Sequence, residues 1–188
     1  MKVSREEAAR NRERIVEAAA RLFRERGFEG VGVAELMKDV GLTHGGFYGH
    51  FESKDDLMAQ SCERALEHSL ERWRKRAEAS PDEPLAAITD GYLTTRHRDD
   101  PGTGCLLAAL GSDVSRQGPA VRRAVTDYLN SAFDVLTRLV PGKTRAARRR
   151  KALAAYASLI GAMVMARAVD DRALSQEILE AVRAEVAS

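Results

Sequence analysis

Three observations predict an all-α protein. Apolar residues recur at steps of three and four along most of the chain, and no stretch sustains the alternation of β-branched and polar residues that a strand needs. Serine, glycine, asparagine-like turn residues and proline then punctuate the pattern at helix-length intervals. Composition agrees: of 188 residues 44% are hydrophobic and 31% charged, while only 5% are aromatic. That is the makeup of a protein built from helices rich in Ala, Leu, Arg and Glu.

The elements follow in order. Ser4-Arg5-Glu6-Glu7 reads as a capping box, and the stripe Ala8, Ile15, Ala19, Leu22, Phe23 runs from it to Gly27, a natural C-terminal stop. Two short helices are predicted next, over 33–40 and 43–51, separated by Gly41-Leu42. Ser53-Lys54-Asp55-Asp56 supplies the N-cap and acidic first turn of a long helix reaching about Ala79, where Ser80-Pro81 ends it. Five further helices are predicted near 85–98, 105–115, 119–140, 145–169 and 173–186. About nine helices result, with no internal repeat, and a functional boundary divides a three-helix head (residues 1–53) from a helical body (54–188).

Several function classes find no support. The chain has no glycine-rich nucleotide loop, paired-carboxylate motif or nucleophile motif, so no catalytic residue and no cofactor are expected. His44, His50, His68 and His97 lack metal-ligand spacing, and no metal is expected either. Residues 1–7 lack a leader's apolar stretch, and the apolar runs are broken by charge. A cytoplasmic protein with no membrane span is therefore predicted. A net charge of +2 does not announce a nucleic-acid partner; local geometry has to.

That geometry is in the head. Val33, Leu36, Met37 and Val40 share one helical face, Gly41 sits where a sharp turn needs positive φ, and Phe47 and Phe51 form the apolar face of the segment after it. Gly45, Gly46 and Gly49 each weaken a helix by roughly 1 kcal/mol relative to Ala. Close approach to something bulky, such as a DNA groove, is a reason to keep them. Thr43, His44, Tyr48 and His50 remain to bond phosphates or base edges, and Lys54 suits a phosphate at the next helix start. His50 reads equally as a packed residue at this point; a core Tyr48 and a plain loop at Gly45-Gly46 are the lesser alternatives.

Residues 14–57 resemble the DNA-binding head of the tetracycline-repressor (TetR) family. The likeness rests on Ile15, Ala18, Ala19, Leu22, Phe23, Gly27, Phe28, Val33, Val40, Gly41, Tyr48, His50, Phe51, Lys54 and Leu57. It implies a homodimer whose last two helices form a four-helix interface, a double-stranded DNA operator, and a body that spreads the two heads on taking up a small-molecule effector. It also implies that His44 and Gly45 approach base edges while Thr43, Tyr48, His50 and Lys54 hold phosphates. Departures are informative: Val31-Gly32 stands where the family commonly has two hydroxyl residues, and His44, Gly46 and Gly49 are where many relatives carry Lys or larger residues.

In the body, Met58, Cys62, Leu66, Leu70 and Trp73 recur at near-heptad steps, which reads as core or as cavity wall alike. Candidate effector contacts are Cys62, Tyr92, Thr95, Arg96, His97, Cys105, Phe133 and Met163, with Arg96 or His97 suited to an anion. Cys105 follows Thr103-Gly104 at a predicted helix start, an environment shared by reactive thiols and by ordinary packed ones. The basic run 145–151 reads as a solvated face. The small residues Ala157, Ser158, Gly161 and Ala162, with the stripe Leu174, Ile178, Leu179, Val182, fit a dimer interface. A helical enzyme or storage protein, and an architectural DNA binder without ligand control, remain the alternatives.

Overall fold

The computed structural model describes residues 4–187, so the reading of residues 1–3 as lacking a leader lies outside the described residues. Among the described residues the chain is helical with no strand. The elements are α1 (Arg5–Arg26), α2 (Val33–Asp39), α3 (Lys54–Ala79), α4 (Pro84–Tyr92), α5 (Thr95–Asp99), α6 (Leu106–Val114), α7 (Pro119–Leu139), α8 (Arg145–Ala168) and α9 (Arg172–Ala187), with 3-10 turns at His44–Gly49 and Pro101–Thr103. The predicted all-α class is borne out.

Local chemistry sets the ends of the head's helices. Ser4 Oγ accepts from the Glu7 N–H at 3.1 Å and starts α1; Gly27, at φ 78°, ends it by donating to Phe23 O. After α2, Gly41 N–H bonds Lys38 O and Leu42 N–H bonds Met37 O, the two bonds of a Schellman motif, with Gly41 at φ 71°. Ser53 Oγ caps α3 through the Asp56 N–H, and Asp56 in turn accepts from the Glu52 N–H. Helices as short as α2 do not persist alone. Leu36, Met37 and Phe47 are buried against Ile15, Leu22 and Phe23 of α1, each contributing about 2 kcal/mol.

Beyond the head, α3 packs on α7 and α4, α7 on α8, and α8 on α9, which returns to α4. Trp73 of α3 and Tyr156 of α8, ring centroids 4.9 Å apart, mark the centre of this second core. The turn at Pro101–Thr103 packs against α1, so head and body share a contact besides α3.

Three expectations change. Residues 43–51 form a 3-10 turn over His44–Gly49 rather than an α-helix, closed by the i−3 bonds Gly46 N–H to Thr43 O and His50 N–H to Phe47 O. Three glycines in six residues leave too little propensity for a longer α-helical run. The single helix expected at 85–98 is two, α4 and α5, because Thr94 stays extended and its Oγ1 caps α5 through the His97 N–H. Finally, α8 is by length and composition long and apolar enough to cross a membrane, contrary to the expectation that no segment is. Its buried side packs on α7 and α9 through Ala152, Tyr156, Leu159 and Met163.

Candidate functional site

The surface of the 43–51 segment is held from beneath. Phe47 is buried beside Phe51, ring centroids 5.4 Å apart, and the Arg12 guanidinium lies 5.2 Å over the Phe51 ring. Arg14 Nη2 donates to Val40 O at 2.7 Å, fixing the turn that precedes the segment. Arg21 pairs with Asp39 at 2.8 Å and Arg26 with Glu35, tying α1 to α2. The sequence reading missed these four arginines, which act by pinning α2 and the segment after it to α1.

The outer edge carries Thr43, His44, Gly45, Tyr48 and Gly49, all exposed. Tyr48 is 67% exposed, which decides against the core reading; its ring stands edge-on to Phe47 at 5.3 Å and to His44 at 6.3 Å. His50 is half-buried beside Phe51, and Lys54 is half-buried as the first residue of α3. The three glycines separate. A Cβ at Gly46 meets Thr43 Oγ1 at 3.5 Å and Met37 Cε at 3.7 Å, so this residue faces inward. At Gly45 and Gly49 a Cβ meets nothing within 4 Å, and neither has positive φ. The fold itself does not call for glycine at either place.

The second site is a cavity of about 300 Å³ between α3, α4, α5 and the 103–105 segment. Four of the expected contacts meet on its wall: Tyr92, Arg96, His97 and Cys105. Cys62, Phe133 and Met163 are not on that wall. Cys62 is a core residue whose thiol burial pushes up to about 12, Met163 is fully buried, and Phe133 packs on Tyr156 beneath the Arg149 guanidinium. Thr95 is exposed and off the wall as well. The wall adds Ser69, Arg72, Trp73 and Arg76 from α3, which the sequence reading passed over.

His97 is a structural pin rather than a free ligand. Its Nδ1–H donates to Tyr92 O at 2.7 Å and its Nε2 accepts from the Cys105 N–H at 2.8 Å, so both ring nitrogens are used and the ring is neutral. Burial, opposed by the bond to Tyr92 O, holds its pKa down at about 4. The sign follows directly: the unfolded chain takes up the proton first, so stability falls as pH drops from about 6.5 towards 4. Urea unfolding at pH 7 and pH 4.5 should show a loss in the native chain exceeding that of His97→Gln by about 2 kcal/mol; equal losses would refute the pin. Cys105, 2% exposed, lies on the same wall with its Sγ 3.8 Å from the Tyr156 hydroxyl, which bonds the Tyr128 hydroxyl at 2.7 Å.

Between head and cavity runs a direct link. Arg24, near the end of α1, donates through Nε to Gly102 O at 2.8 Å, and through Nη2 to the same oxygen. Burial first and the nearby Arg72 second lower its pKa to about 10. Gly102 allows the approach, since a Cβ there falls 2.4 Å from Glu25 Oε1.

With this geometry in view, the family comparison is decisive: the model for bacterial regulatory proteins of the tetR family matches residues 15–60. Residues 15–60 are a TetR-family head. The chain is 32% identical over 88 residues to the uncharacterized HTH-type transcriptional regulator YerO of Bacillus subtilis, spanning 47% of the chain and 30% of that relative. It is 29% identical over 87 residues to the HTH-type transcriptional regulator AcrR of Shigella flexneri, spanning 46% and 40%. The likeness thus covers less than half the length of these relatives. At the level of fold it extends further. The reduced form of E. coli NemR superposes with a TM-score of 0.78 at 24% identity, covering 94% of this chain and 95% of that one. A TetR-family regulator from Cytophaga hutchinsonii gives 0.80 at 22% identity, covering 100% and 97%. The TetR-type head is therefore read from sequence, and the helical body from fold alone.

Proposed function

We propose that the chain is a DNA-binding transcriptional regulator, a homodimeric repressor released from its operator by a small molecule taken up in the body. The carrying observation is the outer edge of the 43–51 segment. Two glycines the fold does not call for stand beside exposed Thr43, His44 and Tyr48, within the match to the TetR family. Residues 1–53 act as the DNA-binding head and 54–188 as the effector and dimerisation body. Thr43, Tyr48, His50 and Lys54 hold phosphates; His44, Gly45 and Gly49 approach the bases, and Gly46 shapes the turn from inside. Action on DNA places the protein in the cytoplasm.

Dimerisation through α8 and α9 is supported by their outer faces. Leu153, Val164, Met165 and Leu174 are each 39–51% exposed, and between them lie the small residues Ala157, Gly161 and Ala168. Apolar side chains left uncovered along two neighbouring helices fit a partner copy.

Selection from a random duplex library should recover a palindrome with half-sites about one helical turn apart. On that duplex His44→Ala should blur base preference at one position per half-site. Lys54→Ala should weaken all sequences alike and lower the salt slope by about one. Recovery of no shared sequence would refute the regulator reading, and unchanged preference in His44→Ala would refute direct reading by that residue.

A further inference from the structure

Arginines gather around the cavity with no carboxylate on its wall: Arg72, Arg76 and Arg96 line it. Among the described residues none of the three has a hydrogen bond or ion pair. Two more stand close behind. Arg24 bonds only Gly102 O, and Arg167 bonds the carbonyls of His97 and Arg98 while its Nη1 is buried without a partner. Carboxylates outside the wall act on these arginines only at a distance: Asp100, which feels Arg96 and Arg24, accepts from the Thr103 hydroxyl and N–H, and Glu17 faces Arg64 and His68. Like charges raised together in a partly desolvated space repel one another, and the pKa of Arg76 is lowered by burial and by Arg72.

The placement of Arg76 is built. Its side chain lies flat on Gly91, so close that a Cβ there falls 2.2 Å from Nε and 2.3 Å from Cζ. Gly91 does not have positive φ, so its want of a side chain serves this contact. Polar groups complete the wall: Ser69, Thr94 and Thr103, and Tyr92, whose hydroxyl is buried without a hydrogen-bond partner. The site is not part of the DNA edge, because Arg72 lies eighteen residues along α3 from Lys54, roughly 27 Å at the helical rise.

We propose that this cavity binds a small oxyanion, a carboxylate or a phosphate, held by the guanidinium groups of Arg72, Arg76 and Arg96. Its volume suits a compact molecule, and Trp73 and Tyr92 offer apolar walls to whatever carries the charge. The inference deepens the reading of the body as an effector domain and rests on it for the ligand's biological role.

The test is thermal unfolding of the full chain with inorganic phosphate, benzoate and neutral benzamide at constant ionic strength. Phosphate, benzoate or both should raise Tm saturably with a Kd of roughly 1 mM or tighter, and benzamide should not. Arg76→Gln and Gly91→Ala should each weaken the anion response at least about tenfold, while Lys54→Ala keeps it. Gly91→Ala displaces only the far end of a flexible side chain, so its Tm without anion should match the native chain. No saturable response to either anion, an equal response to benzamide, or full response in both cavity variants would overturn the site. Binding to the selected duplex without additives is measured alongside, and its loss speaks against the regulator reading alone.

Discussion

Replacing Gly45 and Gly49 together by alanine should weaken operator binding at least about tenfold while leaving the fold as stable or more so. Each alanine methyl enters open space, and neither backbone position needs glycine's freedom. Removing glycine from a helical turn contributes about 0.5–1 kcal/mol per site, so thermal unfolding should move upward if it moves at all. The DNA then meets two methyl groups where the backbone approached it, and the neighbouring His44 and Tyr48 are held off their contacts. Fluorescence anisotropy on the selected duplex, read beside a melting curve, checks both halves. Stability and affinity rising together would mean that closeness to DNA is not what keeps these glycines. A Gly46→Ala control should behave differently, since its methyl meets Thr43 and Met37 at ordinary contact distance.

Placing a charge on the outer face of α8, by Val164→Arg or Met165→Arg, should convert a dimer into monomers. Both side chains are about half exposed in the single chain, so the substitution leaves its core intact and circular dichroism unchanged. In the dimer the guanidinium is instead driven into an apolar contact, where an unpaired charge costs several kcal/mol. Sedimentation velocity should show the loss of the dimer. Operator affinity should fall by about two to four powers of ten, because each head then binds its half-site without the other's help. A dimer surviving both substitutions would move the interface away from α8. The apolar stretch that makes α8 long enough for a bilayer serves, in this reading, to meet a second copy.

Legibility in the sequence followed the range of the interaction. Ser4, Gly27, Gly41 and Ser53 act on atoms within five residues, and each does what its local pattern predicts. The α4–α5 break is also local, but no glycine or proline marks it at Thr94, and the pin that fixes the break comes from His97 and Cys105. Cavity residues divide the same way. Tyr92, Arg96, His97 and Cys105 cluster within fourteen positions and were singled out together. Arg72 and Arg76 lie far from that cluster in sequence and were passed over; only the approach of α4 and the 103–105 segment brings them to one space. Cys62 and Met163 show the converse: apolar periodicity does not distinguish a residue packed in a core from one facing a void.

The bond between Arg24 and Gly102 makes a lever of α1. Besides its packing on α3, the helix is fastened to the body near its C-terminal end, and it holds the proposed DNA-reading segment through Arg14, ten residues earlier. At the helical rise that arm is roughly 15 Å long, and the first turn lies roughly 28 Å from the fulcrum. A tilt of about ten degrees at Arg24 moves the level of Arg14 by roughly 2.6 Å and the helix start by roughly 5 Å. Segment 101–105 needs to travel far less than either, because it sits at the short end. In the proposed dimer, two such arms would gear modest work at the cavity into a mismatch between the spacing of the heads and the pitch of the duplex.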